Sequence, residues 1–167
     1  MKAVAYSVRS FEKEFLAKAN QKKHEITLIS NALGPDTVGY AAGKDAVIVF
    51  ANDDLSALVI EKLAALGVKF IVTRSADTAH IDKFAASNYG IKIANVPFLL
   101  PENIANDGDS ISHGNVNSEI LQETANQTIK SLDLWQQNKC VGSACACAKN
   151  CAGVNPNDNK NLTTNVH

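Results

Sequence analysis

Two places in the chain carry side chains that could do chemistry. The run CVGSACACAKNC places Cys140, Cys145, Cys147 and Cys151 within twelve residues, spaced C-x4-C-x-C-x3-C. Four thiolates suit Zn²⁺, Cu(I) or an iron–sulfur cluster. The small residues among them (Gly142, Ser143, Ala144, Ala146, Ala148) would let the backbone fold closely around an ion. The spacing is not the C-x-x-C of a standard finger, so it leaves the metal open. Lys149 would favour the thiolate form of a neighbouring cysteine, which makes thiol-redox chemistry an alternative. Reduced thiols without a ligand, at the end of a helix, are the third reading. The other place is His113, in the polar stretch NDGDSISHGNVN. An imidazole titrates near neutrality, but acid–base work also needs an acidic group to orient it and a clamp for the substrate. A solvent-exposed linker histidine is the competing reading.

The elements that must position these residues follow from periodicity. KAVAYS reads as a first strand, and SFEKEFLAKANQKK as a helix with Phe11, Phe15 and Ala19 on one face and Ser10 as its cap. HEITLIS is a second strand, followed by a turn over 31–35 and a short helix, TVGYAAG, ending near Gly43. DAVIVFAN is continuously apolar, as a strand buried on both faces is. SALVIEKLAALG is an amphipathic helix from a Ser56 cap to a Gly67 stop. VKFIVT is strand four, HIDKFAASNYG a helix that His80 starts, and IKIANVP strand five. His80 is read there as a helix-start residue and not as a ligand. Five strands alternating with helices predict an α/β, flavodoxin-like, doubly wound parallel sheet in the order 2-1-3-4-5. Ligands of such sheets sit beyond the carboxyl ends of the strands, here residues 7–10, 51–54, 74–78 and 96–100. From Asn117 a long helix carries Ile120, Leu121, Ala125, Ile129, Leu132 and Trp135 as a stripe that packs on the sheet.

The totals restrict the partners. The chain has 167 residues and a formal net charge of −1, so no global field favours nucleic acid or an anionic membrane. No apolar run is long enough to span a bilayer, and MKAVAYS lacks the pattern of a signal peptide. A cytoplasmic protein is expected, and in a reducing compartment structural disulfides are not. The expected organisation is a sheet domain over 1–139 with a polar bridge at 106–117, a Cys-rich segment at 140–152, and a disordered tail at 153–167.

The segment VKFIVTRSADTAHIDKFAASNYGIKIANVPFLLPENIA resembles the substrate-domain segment of the D-2-hydroxyacid dehydrogenases, and within them the D-lactate dehydrogenases. The matching positions are Arg74, Ile81, Asp82, Gly90, Lys92, Val96, Pro97, Pro101 and Glu102. VIVFANDD is similar to the family's strand and Asn-Asp-Asp turn at Asn52, Asp53 and Asp54. MKAVAYSVRSFEKEFL is similar to its start, and the helix from Ser118 to its C-terminal helix. The resemblance spans about residues 1–105 and 113–139.

It implies a 2-hydroxy or 2-oxo acid as ligand, with Arg74, Ser75, Ala76, Asp77 and Leu99 on the substrate side and His113 matching the catalytic base. It also implies an NAD-binding domain inserted between the two segments, which in the family supplies an arginine and the acidic partner of the base. No two of the nine glycines here are separated by a single residue, so no G-x-G-x-x-G loop occurs and no NAD is expected on this chain alone. A chain without standalone dehydrogenase activity is expected, monomeric, with a separately encoded coenzyme domain as a possible partner. Two positions depart from the family. Asp77 stands for a glycine, in a loop that brings backbone N–H groups to the substrate carboxylate, and its charge opposes an anion. Leu99 stands for a tyrosine. The alternative function is a small metal-binding or thiol-redox protein using the Cys140–Cys151 run. A receiver-like module fits less well, because strand one ends in Ser7, Val8 and Arg9 without an acidic pair.

Overall fold

The computed structural model describes residues 1–97 and 118–148. Five strands, β1 (Lys2–Ala5), β2 (Glu25–Leu28), β3 (Ala46–Val49), β4 (Phe70–Thr73) and β5 (Lys92–Ala94), form one sheet in the order β2-β1-β3-β4-β5. All four pairings between them are parallel, so the expected doubly wound α/β fold is the one observed. The strands read as apolar runs because both faces are covered. Val4, Tyr6, Val47, Val49, Ile71 and Ile93 point to one side, against α2 (Ala57–Ala65) and α3 (Lys83–Asn88). Ala3, Ala5, Ala46, Ile48, Val72 and Ala94 point to the other, against α1 (Glu12–Asn20) and α4 (Ser118–Gln136).

That second face is mostly alanine on the strands. The bulk comes from the helices, through Leu16, Ile129, Leu132 and Trp135, which fills the layer without crowding. Trp135 stacks on Phe70 at 4.7 Å between ring centroids. The buried His24 fixes the far end of α4, its Nε2 lying 2.9 Å from Asp133 Oδ1. Among the described residues no helix is long and apolar enough to cross a membrane.

Two boundaries differ from the sequence expectation. Helix α1 begins at Glu12 with Phe11 in the cap position, so Ser10 is not its cap. Helix α3 begins at Lys83, not at His80, because the Asp82 carboxylate accepts the Ala85 N–H at 2.8 Å and fixes the first turn there. His80 is thereby left on the loop before the helix. The expected stops at Gly67 and Gly90 hold, with φ of +89° and +69°, values that glycine adopts without strain.

The cysteine run lies at the sheet edge. Ala94 and Cys145 form an antiparallel bridge. Ala144 O accepts the Asn95 N–H at 2.8 Å, and the Ala146 N–H reaches Ile93 O at 3.0 Å. The segment caps the open side of β5, which would otherwise present unpaired backbone groups.

Candidate functional site

The site is built at the carboxyl ends of the strands. Asp53, in the turn after β3 and 3% exposed, gathers three connections. Its Oδ1 accepts Ser7 Oγ and the Leu33 N–H, each at 2.7 Å, and its Oδ2 accepts the Phe50 N–H at 2.7 Å. Bonds to a charged acceptor are among the stronger ones in proteins. They hold Ser7 at φ +52°, an unusual conformation for a residue other than glycine.

Arg74 follows β4 and is 1% exposed. Its Nη1 pairs with Glu12 at the start of α1, and its Nη2 donates to Tyr6 O at 2.7 Å and Ser7 O at 3.2 Å. The guanidinium carbon lies 5.4 Å from the centroid of the Phe50 ring, a cation–π distance. Sequence resemblance put Arg74 on the substrate side. In the fold its charged end is turned inward and tied to α1 and β1.

The loop after Arg74 is pinned from several sides. Ser75 Oγ lies 2.9 Å from Thr73 Oγ and donates to Asp77 O at 2.7 Å. Ser75 O accepts the Val96 N–H at 3.1 Å, and Ala76 O accepts Asn95 Nδ2 at 2.9 Å. The carbonyls are thus engaged, while the N–H groups of Ala76, Asp77 and Thr78 have no acceptor among the described residues. Successive backbone N–H groups in a turn can offer an anion a concave set of donors. The Asp77 carboxylate, expected to oppose an anion there, folds along the loop and accepts the Ala79 N–H at 2.8 Å. Its charge stays beside the site, although its oxygen is directed to a backbone donor.

His80 closes the loop. Among the described residues neither ring nitrogen has a hydrogen-bond partner, and both are shielded from solvent. Burial lowers its pKa from the ordinary value, against an opposing pull from Asp77 and then Asp53. Sequence reading took this residue for a helix start and not for a ligand. The signal available was an ionisable ring three residues after an aspartate in a ligand-bearing loop.

The remaining candidates divide between observed and undescribed positions. Cys147 Sγ lies 3.2 Å from the Ile93 N–H, which donates to it. Cys140, Cys145 and Cys147 line a groove of about 190 Å³ with Lys92, Lys139 and Trp135. Yet among the described residues no three His, Cys, Asp or Glu side chains are placed to hold an ion. His113, Leu99 and Cys151 lie outside the described residues.

A dinucleotide does not fit the first turn of this sheet. No glycine occurs between β1 and α1, and the Tyr6 and Ser7 carbonyls are held by Arg74. The first turn of α1 carries Glu12 and Glu14, which repel a pyrophosphate where a helix N-terminus would otherwise attract it.

Comparison with known proteins agrees with this architecture. Residues 3–145 match the family described as D-isomer specific 2-hydroxyacid dehydrogenase, catalytic domain. The 2-hydroxyacid dehydrogenase A of Aspergillus oryzae is 40% identical over 109 residues, covering 63% of this chain and 31% of that protein. The D-lactate dehydrogenase of Escherichia coli is 36% identical over 106 residues, covering 63% and 32%. Among solved structures, Salmonella D-lactate dehydrogenase aligns with a TM-score of 0.58 at 35% identity, over 63% of this chain and 32% of that one. D-2-hydroxyisocaproate dehydrogenase aligns at 0.55 and 33%, with the same coverage. The chain spans about a third of the length of these relatives. With the parallel 2-1-3-4-5 sheet and the match over residues 3–145, the chain belongs to the D-isomer specific 2-hydroxyacid dehydrogenase family, through its catalytic domain.

Proposed function

We propose that this chain is the acid-binding part of a D-2-hydroxyacid dehydrogenase system and does not turn its ligand over alone. The ligand is a small 2-oxo or 2-hydroxy acid such as pyruvate or D-lactate, whose carboxylate accepts from the N–H groups of Ala76, Asp77 and Thr78. The observation that carries this reading is the pinned loop, whose carbonyls are engaged while three successive donors lack acceptors among the described residues. Ser75 sets the loop's curvature through its hydroxyl, and the family resemblance assigns Leu99 and His113 to the same ligand. Reduction or oxidation of the acid needs a hydride carrier. The coenzyme would come from a separately encoded coenzyme domain, which would also supply the arginine and acidic group that the resemblance assigns to it. His113 would then serve as the acid–base group.

Two measurements test the reading. Titration with pyruvate, followed by the backbone amide resonances of residues 76–78, should shift those resonances selectively. Incubation with D-lactate and NAD should give no NADH, and calorimetry should detect no NADH binding. Steady turnover by the purified chain would overturn the claim that it is inactive alone. Amide resonances that ignore pyruvate would overturn the binding site.

A further inference from the structure

The donor-rich loop leaves one contradiction. Its three N–H groups call for an anion, while Asp77 places a negative charge in the same loop. A permanent carboxylate beside a carboxylate ligand weakens binding unless something offsets it. His80 is three residues away, and its ring is unusual in a folded chain. Nδ1 and Nε2 are both shielded and both lack partners, although buried polar groups are almost always paired. A neutral imidazole carries one donor and one acceptor, and a protonated one carries two donors.

The charged groups acting on the ring are Asp77 from its own loop and Asp53 from the turn after β3. Asp53 is already engaged by Ser7, Leu33 and Phe50. On the adjoining elements, Asp54 accepts the Ser56 N–H and Asp82 caps α3 at Ala85. Arg74, the cation nearest Asp77 in sequence, is turned to Glu12. Lys83, at the start of α3, lines a groove beside Gly90. Among the described residues no fixed positive charge of this loop stands against Asp77, and a proton on His80 would supply one.

We propose that His80 is a positioning residue that makes anion binding at the 76–78 loop proton-coupled. The imidazole takes a proton from solvent as the acid anion docks, and the imidazolium offsets Asp77. This rests on the acid-binding reading above and adds to it that the ligand is taken up together with one proton. Burial disfavours the charged ring in the empty site, and the negative charge of a docked anion favours it. By linkage, the anion raises the ring's proton affinity by the same factor that the proton raises the anion's affinity.

The test is pyruvate and oxamate titration of the full chain, followed by the amide resonances of residues 76–78, from about pH 5.5 to about pH 8, a range that brackets an imidazole's titration. Both ligands stay ionised throughout. In the wild type the dissociation constant should rise with pH, by up to about tenfold per unit where the ring titrates, and saturating ligand should move the His80 ring titration upward. In His80→Asn the constant should be independent of pH and weak. In His80→Lys a permanent charge should restore tight binding at the alkaline end. Amide spectra away from the loop, unchanged in both variants, separate these effects from misfolding. Wild-type binding without pH dependence, or His80→Asn binding that keeps it, would overturn the proton coupling and leave the acid-binding site standing. Amide resonances silent to both ligands at every pH would overturn the two together.

Discussion

Glu12→Gln tests whether Arg74 is a strut or a ligand contact. The wild-type guanidinium holds Glu12 Oε1, Tyr6 O and Ser7 O, over the Phe50 ring. The side chains of Arg74 and Glu12 are 2% and 16% exposed. At about 4 Å between charges and an effective dielectric of about 20, the pair attracts by about 4 kcal/mol. Glutamine keeps a neutral acceptor, which retains about 1 kcal/mol. The expected loss is therefore about 3 kcal/mol, the low end for removing one partner of a buried pair. Trp135 is the only tryptophan, and its fluorescence reports unfolding in urea. With a slope of about 2 kcal/mol per molar urea, the midpoint should fall by about 1.5 M. Replacing both partners, Glu12→Leu with Arg74→Met, should recover most of the loss, since Phe15, Leu16, Leu121 and Ala125 surround the space. A Glu12→Gln midpoint shift under about 0.5 M, with Arg74→Met abolishing pyruvate binding at unchanged stability, would refute the strut and return Arg74 to the ligand.

Asp53→Ala leaves the Leu33 and Phe50 N–H groups buried without acceptors, and urea melts should record a loss of about 3 to 5 kcal/mol. Cys147→Ala removes the acceptor of the Ile93 N–H at the capped edge and should cost about 1 kcal/mol in the same assay, with Cys147→Ser costing less. Tyr6, fully buried, donates to Thr37 O, and burial followed by the Asp53 charge pushes its phenol up to about 12 from 10.0. The fold favours the neutral phenol. Its contribution is therefore complete below the unfolded value and is lost as pH rises through the folded one. Stability should fall between those two values, and Tyr6→Phe should lack that part of the fall.

The strands were legible because each is covered on both faces, so Val47 to Val49 and Ile71 to Val72 read as unbroken apolar runs. The strand order followed from their alternation with helices. Side-chain direction at the strand ends was not legible. Whether Arg74 turns inward depends on Glu12, 62 positions earlier in the chain, and on the carbonyls of Tyr6 and Ser7. The Asn52-Asp53-Asp54 turn was visible as a turn. Which aspartate enters the protein depends on where Ser7 and Leu33 arrive. The described part of the cysteine run follows the register of β5, a placement its spacing did not show. His80 was taken for the start of a helix that Asp82 in fact caps.

The position of the open donors follows from how the rest of the rim is closed. In a doubly wound sheet the usual ligand crevice lies where the strand order reverses, here between β1 and β3. Asp53, leaving β3, is bonded to Ser7 beyond β1 and to Leu33 beyond β2, so the crevice is stitched across by one carboxylate. Arg74 takes the carbonyls of Tyr6 and Ser7 from the other side. Several polar groups at the switch point are therefore already paired with each other. Among the described residues, the run of three successive donors and the unpartnered imidazole lie beyond β4, on residues 76–80. Stability and recognition should then separate by residue. Asp53→Ala should lower the unfolding midpoint, and in the fraction still folded pyruvate should still shift residues 76–78. His80→Asn should leave the midpoint in place and change the pH dependence of binding. If Asp53→Ala abolished binding in protein that remained folded, the crevice and the loop would be one site, and the division drawn between them would fail.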